Sequence, residues 1–284
     1  MDDRCPACQR RYARLGVARY YRSHDRTDDV VVPVFRCPDC GLLHQRIPPG
    51  TREGHFASAS YTNPDRESHL RAKRMELYRW VLDALPAPPG TLLDVGSSYG
   101  HLLEQARRRG WDVMGVEPVA ACAAVAERAG FDVTHGSFPE AAPPAGDIDV
   151  ITFLDSFYLL PDPLLAAEAA RKLLAPDGRV VMRVTNRGYL WRVAVAESTA
   201  RGRAHLPGWL MGDASFGFGP RSVRAVLERA GFTDISIEAE PSRVQTREGR
   251  ATRALYLMGD GARLASANRI HLSPGLLVTA RAAA

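Results

Sequence analysis

Residues 91–103, TLLDVGSSYGHLL, constrain the fold of this chain more than any other stretch. Leu92, Leu93 and Val95 form a short apolar run of the kind that occupies a fully buried strand, and Asp94 interrupts it near its end. Gly96 and Gly100 follow, with Ser97, Ser98 and Tyr99 between them. Leu102, Leu103 and Ala106 then recur at helical spacing. The pattern is strand, glycine turn, helix. Glycine lets the backbone turn sharply and lets a ligand come close, because no Cβ stands in the way. The helix N-terminus behind the turn offers free N–H groups to an anionic group.

A second strand is expected at 113–116. It ends at Glu117, 17 residues after Gly100. An acid at the end of the second strand of such a unit can accept both hydroxyls of a ribose, so the two features together fit a nucleoside-bearing cofactor in the crevice above the strand ends. The spacing alone is weak: it is not G-x-G-x-x-G, since Ser98 stands at the middle glycine position. An α/β domain with a tight turn and no cofactor is the competing reading.

The run LLDVGSSYG followed by GVEP resembles motifs I and II of the class I S-adenosylmethionine-dependent methyltransferases. The family usually has a further glycine where Ser98 stands. The resemblance implies a Rossmann-like, doubly wound α/β sheet of seven mostly parallel strands, with 92–95 in the centre. It also implies a last strand, 276–280, running antiparallel between the fifth and sixth. Cofactor contacts are then expected at Asp94, Gly96, Ser98, Gly100, Glu117 and Pro118. Ser137 and Phe138, in the turn after a third strand at 131–134, would cover the adenine. Leu154 and Asp155 follow a fourth strand at 149–153 and complete the set.

The amino-terminal segment has a different logic. Cys5-Pro-Ala-Cys8 and Cys37-Pro-Asp-Cys40 are matched C-x2-C pairs, 28 residues apart, and Gly41 follows the second. Four thiolates complete a tetrahedral zinc shell, and a closed all-cysteine shell is structural rather than catalytic. So small a segment cannot build a good core, and metal binding can supply its folding energy. Disulfides or a redox pair are the alternatives, but no secretory signal argues for an oxidising compartment. His24 and His44 read as surface residues. Cys122, in an Ala-rich helix, reads as a small core residue.

These features divide the chain into a zinc ribbon (1–50), a linker and helical lead-in (51–88) and a cofactor-binding domain (89–284). Within the last, 185–219 is expected to form a substrate cover. Helical spacing marks 68–85, 118–129 and 164–174. Residues 241–270 are Arg-rich and weakly periodic. Zinc ribbon, linker, a lone Tyr61 and a helix before motif I together resemble a bacterial group of class I methyltransferases with an amino-terminal zinc ribbon. Many of that group act on sugars or other small metabolites. Tyr61 falls where the group often has a tyrosine near the cofactor, and an exposed loop tyrosine is an equal alternative.

The loop after the fourth strand reads Asp155, Ser156, Phe157, Tyr158, where the resembling group often carries His and Glu. Asp155, Tyr158 and His205 are the candidate catalytic residues, with His135 a further candidate base. The acceptor site is expected between residues 155–158 and the insertion, walled by Trp191, Trp209, Phe216 and Phe218, with His205 and Asp213 as polar groups.

Charge decides little. The net charge is +5 and the sequence pI about 9.1, but 35 of the 37 basic residues are Arg, dispersed among acids without a block of five. That argues against a nucleic-acid partner. No run of 18 apolar residues occurs and the N-terminus lacks an apolar core, so a soluble cytoplasmic protein is expected. The principal functional reading is S-adenosylmethionine-dependent methyl transfer to a small-molecule acceptor, with structural zinc. A ribosomal-RNA-type methyltransferase and a non-enzymatic, partner-binding zinc ribbon are the rivals.

Overall fold

The computed structural model describes residues 3–21, 29–48, 50–51, 63–85, 87–144, 147–244, 250–267 and 269–283. In chain order the elements begin with β1 (Ala13–Tyr21), β2 (Asp29–Arg36), β3 (Leu43–Gln45), α1 (Pro64–Asp83), β4 (Thr91–Val95) and α2 (His101–Arg108). Next come β5 (Asp112–Glu117), α3 (Ala120–Arg128), β6 (Asp132–His135), β7 (Ile148–Leu154), α4 (Pro163–Leu173) and β8 (Leu174–Thr185). The chain ends with α5 (Leu190–Ala200), β9 (Phe216–Gly217), α6 (Pro220–Arg229), β10 (Phe232–Ala239), α7 (Arg250–Ala265) and β11 (Gly275–Ala282).

Seven strands form one sheet in the order β10-β11-β8-β7-β4-β5-β6. β8, β7, β4, β5 and β6 pair in parallel, and β11 runs antiparallel between β8 and β10, as expected. β4 lies in the interior of the sheet, between β7 and β5, as expected. The sheet is covered on both faces. Leu92 packs in a core with Leu77 and Val81 of α1 and Leu102, Leu103 and Ala106 of α2. Leu93 and Val95 share the opposite core with Ala166, Ala167 and Ala170 of α4 and Val223, Val226 and Leu227 of α6. Strands buried on both faces read as continuous apolar runs rather than alternating ones, which is why this sheet was visible in the sequence.

Helix starts follow local chemistry. Asn63 Oδ1 accepts from Asp65 N at 2.9 Å, with Pro64 at the first position of α1. Asp162 Oδ1 accepts from Leu164 N and Leu165 N in front of α4. The helix expected from Pro118 begins two residues later, at Ala120, because the Glu117 carboxylate takes up the Val119 N–H at 2.8 Å. The Arg-rich stretch 241–270 holds a single-turn helix (Ser242–Val244) and α7. No helix among the described residues is long and apolar enough to cross a membrane.

A second, four-stranded antiparallel sheet has the order β1-β2-β3-β9. Its last strand comes from the insertion after β8, not from the amino-terminal segment. Leu206, Leu210 and Met211 of that insertion pack with Ala18, Val34 and Leu43 of the small sheet and with Leu190 and Ala194 of α5. Leu206 N donates to Val17 O and Gln45 N to Ser215 O, both at 2.8 Å. The insertion therefore clamps the amino-terminal sheet onto the larger one. This corrects its reading as mainly a substrate cover: Phe216 and Phe218 are core residues, and Trp209 is exposed and donates to Glu197 Oε2.

Candidate active site

A cavity of about 490 Å³ opens at the carboxyl ends of β4, β5 and β7. The turn after β4 makes its floor. Gly96 and Gly100 have φ of +84° and +79°, and a Cβ at Gly96 would sit 2.6 Å from Ser156 Cβ. Ser98 has φ +50°, so the serine that replaces a family glycine adopts the left-handed conformation glycine would take. The turn is kept at the cost of local strain. Ser97 Oγ is buried at this wall without a hydrogen-bond partner among the described residues. His101, the first residue of α2, holds Nε2 3.5 Å from Glu67 Oε1, long for a hydrogen bond.

Two carboxylates face the cavity from strand ends. Glu117 accepts from Ser98 N at 2.7 Å and from Val119 N at 2.8 Å, which ties the turn to the end of β5. Burial outweighs these two bonds and pushes its carboxyl up to about 7. Asp94 pairs in register with Thr152 of β7 and accepts its hydroxyl at 2.7 Å. Burial raises Asp94 to about 6. Pro118, Ser137, Phe138 and Leu154 also line the cavity, so the cofactor residues expected from the motifs converge here, save Gly100, which shapes the turn from outside the lining.

The loop after β7 forms the opposite wall with Asp155, Ser156, Tyr158, Leu159, Leu160 and Pro161. Asp155, at φ +65°, is held on all sides. Its Oδ2 is 3.1 Å from Arg74 Nη2, and its Oδ1 accepts from Arg183 Nη1 and, at 3.2 Å, from the Tyr158 hydroxyl. A carboxylate so occupied organises its neighbours and is badly placed to take a substrate proton. Behind Tyr158, the buried Arg187 guanidinium lies 5.2 Å from the ring centroid and donates to Leu210 O and Met211 O. Ser215 N donates to Tyr158 O at 2.9 Å. Through these bonds the insertion reaches the cavity, where it contributes Asp213.

Other expected residues stand elsewhere. His205 is not part of the cavity wall; its carbonyl accepts from Ser198 Oγ at 3.0 Å. His135 is exposed at the end of β6, away from the wall. Trp191, Trp209, Phe216 and Phe218 do not line it either. Tyr61 and His24 lie outside the described residues. Arg66, Arg74 and Tyr78 on α1 are wall residues that sequence reasoning missed. Arg74 and Tyr78 are four residues apart and Arg66 lies eight before Arg74, so all three share a helix face with Leu70; nothing in an isolated Arg marks it as a cavity residue.

The four amino-terminal cysteines converge as expected. All are free, and their Sγ atoms lie within 4.8 Å of one another, with Cys5–Cys40 at 3.6 Å and Cys8–Cys37 at 3.3 Å. Tetrahedral zinc at about 2.3 Å from each sulfur needs separations of roughly 3.8 Å, so the donor set fits the ion in type, number and spacing. Matching backbone turns hold the two pairs: Gln9 N donates to Cys5 O and Gly41 N to Cys37 O. Gln9 takes φ +61° where the second turn uses Gly41 at +79°. His44 is not a free surface residue; it stacks on Phe216 with ring centroids 4.6 Å apart. Cys122 is fully buried in the core, as expected.

A family model described as "Methyltransferase domain" matches residues 67–237. A ubiquinone biosynthesis O-methyltransferase of Psychrobacter cryohalolentis is 36% identical over 166 residues, covering 53% of this chain and 65% of that protein. A nocamycin O-methyltransferase of Saccharothrix syringae is 43% identical over 114 residues, covering 36% of this chain and 40% of the relative. The chain thus spans less than two thirds of the length of these curated relatives. Among solved structures, a Thermotoga maritima S-adenosylmethionine-dependent methyltransferase aligns at TM-score 0.54 and 13% identity, covering 80% of this chain and 99% of its own. A Mesorhizobium loti enzyme of the same description aligns at 0.50 and 16%, covering 74% and 97%. At such identities the two structures show the fold alone. The family match takes in β4 to β8, the glycine turn and nearly the whole cavity wall, and on that match the chain belongs to the methyltransferase-domain family.

Proposed function

We propose that this protein transfers a methyl group from S-adenosylmethionine to a hydroxyl of a small-molecule acceptor. The observation that carries this reading is the cavity at the strand ends, with the Glu117 carboxylate fastened to the glycine turn by Ser98 N and Val119 N. The residues fit the cofactor. Glu117 presents a carboxylate at the end of the second strand of the unit, where a ribose diol is recognised. Ser97 Oγ is a buried polar atom at the wall with no partner among the described residues, and the His101 ring lines the wall with Nε2 3.5 Å from Glu67 Oε1. Phe138 is an apolar wall residue of the same cavity and suits a purine face. Bound there, the cofactor supplies an electrophilic methyl on a sulfonium.

The chain's own part is to hold the acceptor and exclude water. Leu159, Leu160 and Pro161 give the acceptor end an apolar surface, and Tyr158 and Asp213 give it polar groups. Methyl transfer gains chiefly from holding the oxygen in line at near-attack distance. A positioned polar group that helps the hydroxyl proton away adds about 10²–10⁴ in rate. The curated relatives are named as a ubiquinone biosynthesis O-methyltransferase and a nocamycin O-methyltransferase, which supports an oxygen acceptor on a small molecule. The four-cysteine cluster holds a structural zinc ion in this reading, closed to substrate by its full shell.

The test is transfer of labelled methyl from S-adenosylmethionine to a panel of phenols, catechols and enols. Once an acceptor is found, Tyr158→Phe and Asp213→Asn should lower kcat by about 10- to 100-fold with little change in cofactor affinity. Unchanged kcat in both variants at saturating acceptor would move the acceptor site elsewhere.

A further inference from the structure

A buried chain of charges runs behind the cavity wall, and no motif announces it. Arg183 lies on β8, 2% exposed, in register with Leu154 of β7. Its Nη1 donates to Asp155 Oδ1, its Nε donates to Glu240 Oε2 at 2.9 Å, and its Nη2 donates to Glu240 Oε2 and, at 3.4 Å, to the Tyr256 hydroxyl of α7. The Asp155 N–H also donates to the Arg183 carbonyl at 3.0 Å. Glu240 is fully buried just beyond β10, and its N–H donates to Gly275 O at 2.9 Å. Gly275 is cut to this carboxylate: a Cβ there would stand 1.6 Å from Glu240 Oε2. On the cavity side, Asp155 meets Arg74 of α1 and the Tyr158 hydroxyl.

The sequence of contacts is Tyr256 and Glu240, then Arg183, then Asp155, then Arg74 and Tyr158. Its inner members do not reach the cavity, and its outer members form the wall. Burying two full ion pairs is costly unless geometry and hydrogen bonds repay it, so a chain of this kind marks a place where position matters. Asp155 takes a left-handed backbone conformation, and Arg183 holds it twice, through the main-chain bond from Asp155 N and through the guanidinium on Oδ1.

We propose that Arg183 is the positioning residue of this site: clamped by Glu240 and Tyr256, it acts through Asp155 to set Arg74 and Tyr158 at the cavity wall. The proposal builds on the cofactor reading above but has a readout that does not need it. In the ligand-free protein, the Arg74 guanidinium N–H groups should show slowed solvent exchange by nitrogen-15 NMR. Arg183→Met should restore fast exchange at Arg74, and Arg183→Lys, which keeps one charge on Asp155, should restore part of the protection. Arg74 exchange unaltered in Arg183→Met would overturn the proposal.

The second arm is a double-mutant cycle in the affinity for S-adenosylhomocysteine, measured by calorimetry. Arg74→Met and Arg183→Met should each weaken binding by about tenfold, and the double variant should bind as Arg74→Met does, because the two act along one path. Additive losses would overturn the proposal. Because a buried pair is being broken, melting curves and circular dichroism accompany each variant. Glu240→Gln, which keeps shape and one acceptor, carries the same predictions where Arg183→Met does not fold. Failure of the wild-type protein to bind S-adenosylhomocysteine would count against the cofactor reading, and the exchange experiment would still decide the role of Arg183.

Discussion

Ser98 shows how a single residue can depart from a family pattern without changing the turn. Its φ of +50° is the conformation a glycine would take, and a serine there stores strain. Ser98→Gly relieves the strain but gives the unfolded chain more freedom, so the net gain should be no more than about 1 kcal/mol by chemical denaturation, whereas Ser98→Val should lose stability. Glu117 carries the pH behaviour. Its folded carboxyl titrates near 7, above the ordinary value of 4.5, so the folded protein binds this proton more tightly than the unfolded chain. Its stabilising contribution is therefore full below about pH 4.5 and is lost as pH rises through 7. Asp94, raised to about 6, pulls the same way. The ligand-free melting temperature should fall between pH 5 and 8, and Glu117→Gln should flatten that slope. Cofactor affinity should run oppositely, weakening toward tenfold per pH unit as Glu117 protonates. The motif residues were legible because their chemistry is local. Arg183, Arg187 and Glu240 were not, because nothing in an isolated Arg or Glu tells that strands distant in sequence will bury it.

At the scale of elements, the parallel strands could be read from their apolar runs, and their boundaries moved by a residue or two except in β8, which begins at Leu174, five residues before Arg179 at the head of its apolar run. The two-residue strand Phe216–Gly217 could not be read at all, since its pairing with β3 is a contact between segments some 170 residues apart. That pairing changes what loss of metal should do. A ribbon standing alone would unfold alone when its ligands are removed. Here Cys5, Cys37 and Leu42 share a core with Phe157, Tyr158 and Phe216. Cys37→Ser should therefore lower the melting temperature of the whole chain in one transition, and should loosen Tyr158 as well as the ribbon. Metal analysis of protein purified without chelator should give one zinc per chain. Two separate transitions in the variant, with the upper one at the wild-type temperature, would show the two sheets to be energetically independent.

The whole molecule is a doubly wound sheet with a small cap that carries the four-cysteine cluster, and the two are joined by the insertion after β8. The insertion was expected to wall the acceptor with its aromatic residues. Instead Phe216 and Trp191 meet His44 and Arg36 of the cap, Phe218 packs on Phe157, Trp209 is exposed, and what reaches the cavity is Asp213 and the backbone that supports Tyr158. Aromatic residues mixed with polar ones describe a pocket and a small interface equally well, so composition could not separate the two. The cavity at the strand ends is continuous, with Gly96, Glu117 and Phe138 in its wall together with Asp155, Tyr158 and Asp213. The central claim is that this cavity takes S-adenosylmethionine. Calorimetric titration of the wild-type protein with S-adenosylhomocysteine tests it most directly. The account predicts one site per chain, with affinity at least about tenfold weaker in Glu117→Ala and in Gly96→Arg; no heat of binding from folded, metal-loaded wild-type protein, with either the demethylated cofactor or S-adenosylmethionine itself, would contradict it.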